Sequence, residues 1–85
     1  MNNKVLVELT VPEIEKTFTV YLPVNKKIGN IIILLNKAIH ELSEGEIIVS
    51  NSNILYNGET GELYQSDVLL INTNIRNGTR LILLT

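Results

Sequence analysis

No cysteine occurs among the 85 residues, and there is one histidine. The first absence removes disulfides, thiolate metal sites and thiol nucleophiles, so nothing in the chain requires an oxidising compartment. The second leaves a single imidazole, His40, which assembles no metal site without cysteines or a carboxylate pair beside it. Charge of either sign is sparse. Seven basic residues stand against nine acidic, a formal net charge of -2, which offers no general attraction for nucleic acid or anionic lipid. Long apolar runs are missing as well: the longest, residues 31–35, is far short of the roughly 20 residues a membrane-crossing helix needs. The N-terminal MNNKVLVELTV also lacks the apolar core and small-residue cleavage site of a signal peptide. From these absences the expectation is a cytoplasmic protein whose partners include no nucleic acid and which does not itself insert into a membrane.

Catalytic constellations are equally scarce. Glu59 and Glu62 flank a glycine turn, as do Glu44 and Glu46, but carboxylate pairs run acid and base chemistry only when burial separates their pKa values, and turn residues are solvated. Gly58 and Gly61 lack the lysine and following helix of a phosphate-binding loop, and Asn77-Gly78-Thr79, though it matches a glycosylation acceptor, reads here as a turn. The expectation is a non-enzyme with no catalytic, cofactor-binding or metal site.

What is present is one amphipathic helix among strands. Residues 25–42, NKKIGNIIILLNKAIHEL, repeat their apolar positions at helical spacing: with Ile28 at zero on a helical wheel, Ile31, Ile32, Leu35, Ala38, Ile39 and Leu42 fall within about 80° of it. Asn25 suits the N-cap, Lys26 and Lys27 sit in an unfavourable first turn, and Ser43, Glu44 and Gly45 stop the helix. Before it, Val5, Val7, Leu9 and Val11 alternate with Leu6, Glu8 and Thr10; beyond an interruption at Pro12 and Glu13, Phe18, Val20 and Leu22 alternate with Thr17, Thr19 and Tyr21. These runs predict a hairpin with Leu6 an apolar residue on its polar side. After the helix come short strands at 47–50 and 54–56 around a turn at 51–53, a small hairpin within 54–64 turning at GETG, a turn at 68–71 beneath the helix, and a last strand at 80–84 entered through Asn77-Gly78. Leu81 and Leu83 point inward.

One domain fills the chain, residues 1–85, and at this size its stability is on the order of 5 to 10 kcal/mol. A hairpin, a right-handed crossover helix and a final strand parallel to the first give an α+β fold: a mixed four- to five-stranded sheet, its terminal strands central, with one helix on one face. The opposite face then carries Leu6, Ile82 and Leu84 side by side with Lys4, Glu8 and Arg80 around them, the mark of a protein-binding surface. On the helix, Ile33 falls outside the core stripe with Lys37 and His40 and makes a second candidate face; Leu34 also falls outside and is expected to be covered by neighbouring loops.

Leu70, Ile75, Gly78, Leu81 and Leu83, within LINTNIRNGTRLILL, resemble the final segment of ubiquitin-like β-grasp domains. With YLPVNKKIGNIIILLNKAI ahead of it, nearly the whole chain is similar to the small bacterial ubiquitin-like proteins of the YukD or EsaB type, accessory to the type VII (WXG-type) secretion system of Gram-positive bacteria. That resemblance implies a cytosolic protein that touches secretion components non-covalently. It also implies that ubiquitin's hydrophobic patch falls on Ile82, Leu84 and Ile48, or on Leu55 if the third strand is 54–56. Two departures qualify it: no diglycine follows the last strand before Thr85, which argues against conjugation and sulfur carriage, and the 57–67 excursion is longer than usual, so loop contacts do not transfer. The rival expectations are a structural homo-oligomer joined weakly by strand edges or the Ile33 face, and a carrier whose C-terminal tail is missing.

Overall fold

A computed structural model describes residues 3–42 and 54–84. The chain runs through β1 (Lys4–Val11), β2 (Lys16–Pro23), α1 (Ile28–Leu42), β3 (Ile54–Asn57) and β4 (Arg80–Leu84). The four strands form one mixed sheet in the order β2-β1-β4-β3. Antiparallel pairing of β1 and β2 runs from Lys4 opposite Pro23 to Val11 opposite Lys16. Strand β4 lies parallel to β1 with Leu81 opposite Leu9, and β3 lies antiparallel to β4 with Leu55 opposite Leu83. First and last strands are therefore central, as the right-handed crossover requires.

The turn of the hairpin follows from Pro12. Lacking an N–H, it leaves the ladder and opens a single 3-10 turn, Pro12–Ile14, which Glu15 closes in the left-handed region at φ 54 with its N–H on the Pro12 carbonyl. The inward residues then build the core: Val7, Leu9, Val11 and Leu22 from the hairpin, Leu55, Leu81 and Leu83 from the other strands, and Ile28, Ile31, Leu35 and Ile39 from α1 are all buried in one cluster. Phe18, Val20 and Ile32 pack against it while only partly buried.

The helix begins at Ile28, two residues later than an N-cap at Asn25 implies, because residues 24–27 are taken up by a remote segment. The Lys26 carbonyl accepts from the Leu70 N–H at 2.9 Å, the Val24 carbonyl accepts from the Ile71 N–H at 3.0 Å, and Lys27 bridges Leu69 in antiparallel fashion. Two of the N–H groups that a helix start leaves open, those of Ile28 and Gly29, donate to the Val68 and Ser66 carbonyls at 2.9 Å each. Lys26 and Lys27 precede the helix, and Lys27 takes the N-cap place, its carbonyl accepting from the Ile31 N–H at 3.0 Å. Gly29 eases this approach, since a Cβ there would sit 3.2 Å from both the carbonyl oxygen and the Cβ of Ser66, and that segment would have to shift to take it.

Beyond β3 the chain doubles back. The Asn57 Oδ1 accepts from the N–H groups of Glu59 (2.8 Å) and Thr60 (3.0 Å), Gly61 supplies the left-handed conformation at φ 76, and the return strand pairs Leu63 with Tyr56. The small hairpin expected over 54–64 is thus formed. The turn expected at 68–71 lies at Leu70–Asn72, with Leu70 buried. The strand expected at 47–50, the turn at 51–53 and the helix stop at Ser43, Glu44 and Gly45 fall outside the described residues, as do Glu46 and Ile48.

Candidate protein-binding face

The sheet surface opposite α1 is assembled by strand parity. In β4 the inward residues Leu81 and Leu83 are buried, which turns Arg80, Ile82 and Leu84 outward. Residues paired across an antiparallel ladder share a face, so Tyr56, opposite Ile82, and Ile54, opposite Leu84, join them. The result is a four-residue apolar patch of Ile54, Tyr56, Ile82 and Leu84, in which Ile54 and Leu84 are exposed and Tyr56 and Ile82 half-buried.

Leu55 does not belong to this patch. It is fully buried, opposite Leu83, because the register that puts Ile82 outward puts Leu55 on the helix side. Leu6 is on the outer face but not beside Ile82. Parallel pairing sets Glu8 against Arg80 and Thr10 against Ile82, so Leu6 lies four residues back along β1 from the residue opposite Ile82, next to Tyr21 on β2. Between the two apolar groups sits the Glu8–Arg80 ion pair, Oε2 to Nε 3.4 Å, both side chains largely exposed and worth at most about 1 kcal/mol. The face is therefore divided: one apolar patch on β3 and β4, a second on β1 and β2, and a charged pair with Thr10 between them.

The second group borders a hollow of about 450 Å³ lined by Leu6, Glu8, Thr19, Tyr21, Asn77 and Gly78 among others. Its floor is held by the turn into β4. The Leu6 N–H donates to Asn77 Oδ1 at 2.8 Å and the Gly78 N–H donates to the Leu6 carbonyl at 2.8 Å, with Gly78 at φ 89. Tyr21 stands 64% exposed beside it.

A polar network, buried at Asn57 and Tyr64 and exposed at Asn74 and Glu62, braces the β3 side. Asn57 Nδ2 donates to the Tyr64 hydroxyl at 3.1 Å, that hydroxyl donates to Asn74 Oδ1 at 2.6 Å, and Asn74 Nδ2 donates to Glu62 Oε1 at 3.1 Å. Burial pushes the Tyr64 phenol above the ordinary tyrosine range; the Asn57 hydrogen bond opposes this and the Glu62 carboxylate adds to it. Both Glu59 and Glu62 are exposed, as expected of turn residues.

On the helix, Ile33 is 65% exposed and shares the outer side with the exposed Lys37 and His40. Leu34, expected to be covered by loops, is instead 50% exposed. With Lys26 and Asn30, Ile33 and Leu34 border a shallow hollow of about 240 Å³. The helix outer side thus gathers Ile33 and Leu34 with Lys37 and His40, and Lys26 beside them.

Among the described residues no group of His, Asp or Glu side chains could hold a metal ion, and no helix is long and apolar enough to cross a membrane. No family model matches the chain, and no curated protein matches it in sequence. Solved structures do. The ubiquitin-like domain of EccD5 from Mycobacterium xenopi superposes with a TM-score of 0.75 at 18% identity, covering 96% of this chain and 93% of that one. The ubiquitin-like domain of the Mycobacterium tuberculosis type VII secretion system protein EccD1 matches with a TM-score of 0.73 at 13% identity, each chain covered over 100%. The fold is the ubiquitin-like β-grasp. An Arabidopsis thaliana ubiquitin-like domain also matches, with a TM-score of 0.66 at 18% identity over 96% of this chain and 77% of that one. At such identities the likeness is one of fold.

Proposed function

We propose that the protein is a non-enzymatic, single-domain ubiquitin-like adaptor of the YukD or EsaB type, working in the cytoplasm of a Gram-positive bacterium and binding a cytosolic domain of a type VII secretion apparatus without being conjugated to it. The observation that carries the reading is the apolar patch of Ile54, Tyr56, Ile82 and Leu84, set in ladder register on the sheet face away from the helix. Apolar side chains rimmed by the Glu8–Arg80 pair and Thr10 match the composition of a protein interface: a dry centre that supplies affinity and a polar edge that fixes orientation. Leu6 and Tyr21 extend the contact across β1 and β2. The secretion assignment draws support from the EccD domains among the fold's neighbours and from the sequence resemblance above.

The test is a pull-down from native extract with tagged wild type beside the Ile82→Asp, Leu84→Asp double variant. Secretion components recovered by the wild type and lost from the variant are the expected result, with a loss of about 2 kcal/mol or more for a truncated central anchor. Leu84→Asp alone is expected to leave the melting temperature nearly unchanged, since Leu84 is exposed. Equal recovery by both proteins moves the binding site to the helix side around Ile33.

A further inference from the structure

The sheet has two edges, and β2 is one of them. Its backbone directions follow from one hydrogen bond: the Val24 N–H donates to the Asn3 carbonyl at 2.9 Å, so residues 24, 22, 20, 18 and 16 turn their N–H and C=O groups toward β1. The bonds on the far side of β1 agree, since Leu6 and Glu8 direct theirs to Asn77, Gly78 and Thr79. Thr17, Thr19 and Tyr21 therefore point their backbone N–H and C=O groups away from the sheet, and no described segment pairs with them. Between Lys16 and Pro23 the edge reads TFTVYL, six uncharged residues of high strand propensity, without the charges, bulge or central proline that ordinarily protect an edge.

We infer that this edge pairs with the β2 edge of a second copy of the chain, antiparallel and centred on Thr19. The occupant is indicated by the edge's self-complementarity. In that register Thr17 comes opposite Tyr21 of the second copy, Thr19 opposite Thr19, and Tyr21 opposite Thr17, so every outward N–H of both edges meets an outward carbonyl. The next outward residue, Pro23, has no N–H to lose, and it falls opposite Glu15, which has left the strand at φ 54. A shift by two residues in one direction would set Thr17 against Pro23 and strand a carbonyl. On the helix side the same register stacks Phe18 against Val20 of the second copy, twice over. Both are only partly buried within one chain, and an aromatic paired with a β-branched residue is a favourable cross-strand couple. At each end Glu15 approaches Lys4 of the second copy, the β1 neighbour of Pro23. The two-fold axis stands perpendicular to the sheet, so the product is one eight-stranded sheet with both helices on one side and both outer faces on the other. This pairing leaves the β3 and β4 patch open and is independent of the adaptor reading.

The experiment is sedimentation equilibrium over a range from micromolar to millimolar protein, with amide exchange followed by NMR at both extremes. Wild type is expected to move from 9.5 kDa toward twice that mass. The amides of Thr17, Thr19 and Tyr21 are expected to gain protection with concentration, while those of Phe18, Val20 and Leu22 are protected throughout. Thr19→Pro removes the axial N–H but spares the bonds to β1, and is expected to weaken association by roughly tenfold or more; if it does not fold, Thr19→Lys sets two like charges across the axis with the ladder unchanged. A monomer at every concentration overturns the inference and leaves the edge to an extended peptide of another protein. Dimers in which the three amides exchange freely, or which persist in the folded Thr19 variants, overturn it in favour of the Ile33 side or the outer face.

Discussion

The two edges of this sheet are treated differently by the chain. At β3 the sequence turns back on itself: Leu63 bridges Tyr56, the Asn57 N–H donates to the Glu62 carbonyl, the Tyr64 N–H donates to the Leu55 carbonyl, and three polar side chains lock the return in place. At β2 no described segment returns. One edge is short and closed by local sequence; the other is eight residues long, neutral along its middle and open. Closing an edge takes loop residues with special conformations, such as Asn57 and Gly61, and β2, set between a tight 3-10 turn and the segment leading to the helix, has none to spare.

That asymmetry can be broken or sharpened by substitution. Leu55→Ala on the closed side is expected to cost about 2 to 5 kcal/mol, because the residue is fully buried against Leu83. Val20→Ala on the open side is expected to cost nearer 1 kcal/mol, since that side chain is only partly buried. Urea unfolding of both variants checks the contrast, and equal losses would show that the two edges are equally embedded. An effect between those two comes from Asn57→Ala, which leaves the Tyr64 hydroxyl without its donor and undoes the turn at Glu59 and Thr60: roughly 2 kcal/mol, with exchange of the Tyr64 amide quickened in proportion. Tyr64→Phe is expected to cost about 1 kcal/mol near neutral pH, where the phenol is protonated in both folded and unfolded chains. Its signature is in alkali. The folded phenol holds its proton above the ordinary value near 10, so the unfolded chain ionises first and wild-type stability falls as pH rises from about 10 toward the higher folded value. Stability curves measured between pH 8 and 11 should show a shallower alkaline limb for the Phe variant.

Much of this architecture is written in simple periodicities. Alternation in β1, β2 and β4 put Val7, Leu9, Leu22, Leu81 and Leu83 in the core, and the helical spacing put Ile28, Ile31, Leu35 and Ile39 against them. Asn77-Gly78 marked the turn into β4. What periodicity does not contain is register between segments distant in sequence. Leu6 and Ile82 are both outward, yet whether they touch depends on the pairing of Glu8 with Arg80, which the turn at Asn77 and Gly78 decides. The expectation that Leu55 takes the place of Ile48 on the face if the third strand is 54–56 fails because the β3–β4 register turns Leu55 inward, and the same register turns Ile54 and Tyr56 outward. The helix start was obscured by a partner outside any local window, the carbonyls of Ser66 and Val68. Asn36, buried on a helix whose apolar stripe was otherwise clear, carried no signal in its spacing. Of the candidate face, Ile82 and Leu84 were legible, while Ile48 lies outside the described residues.

The parallel pairing of β1 with β4 sets a schedule for synthesis. Strand β1 leaves the ribosome early, but its second neighbour in the sheet, β4, follows only after α1 and β3 have been made, and the helix start is tied by backbone bonds to residues 66–71. A nascent chain can form the first hairpin and nothing central beyond it. Such long-range closure favours all-or-none folding once β4 has been made over stepwise folding as the preceding elements emerge. A chain cut short before Arg80 would lose a central strand and leave β1, with Val7, Leu9 and Val11, uncovered along one side.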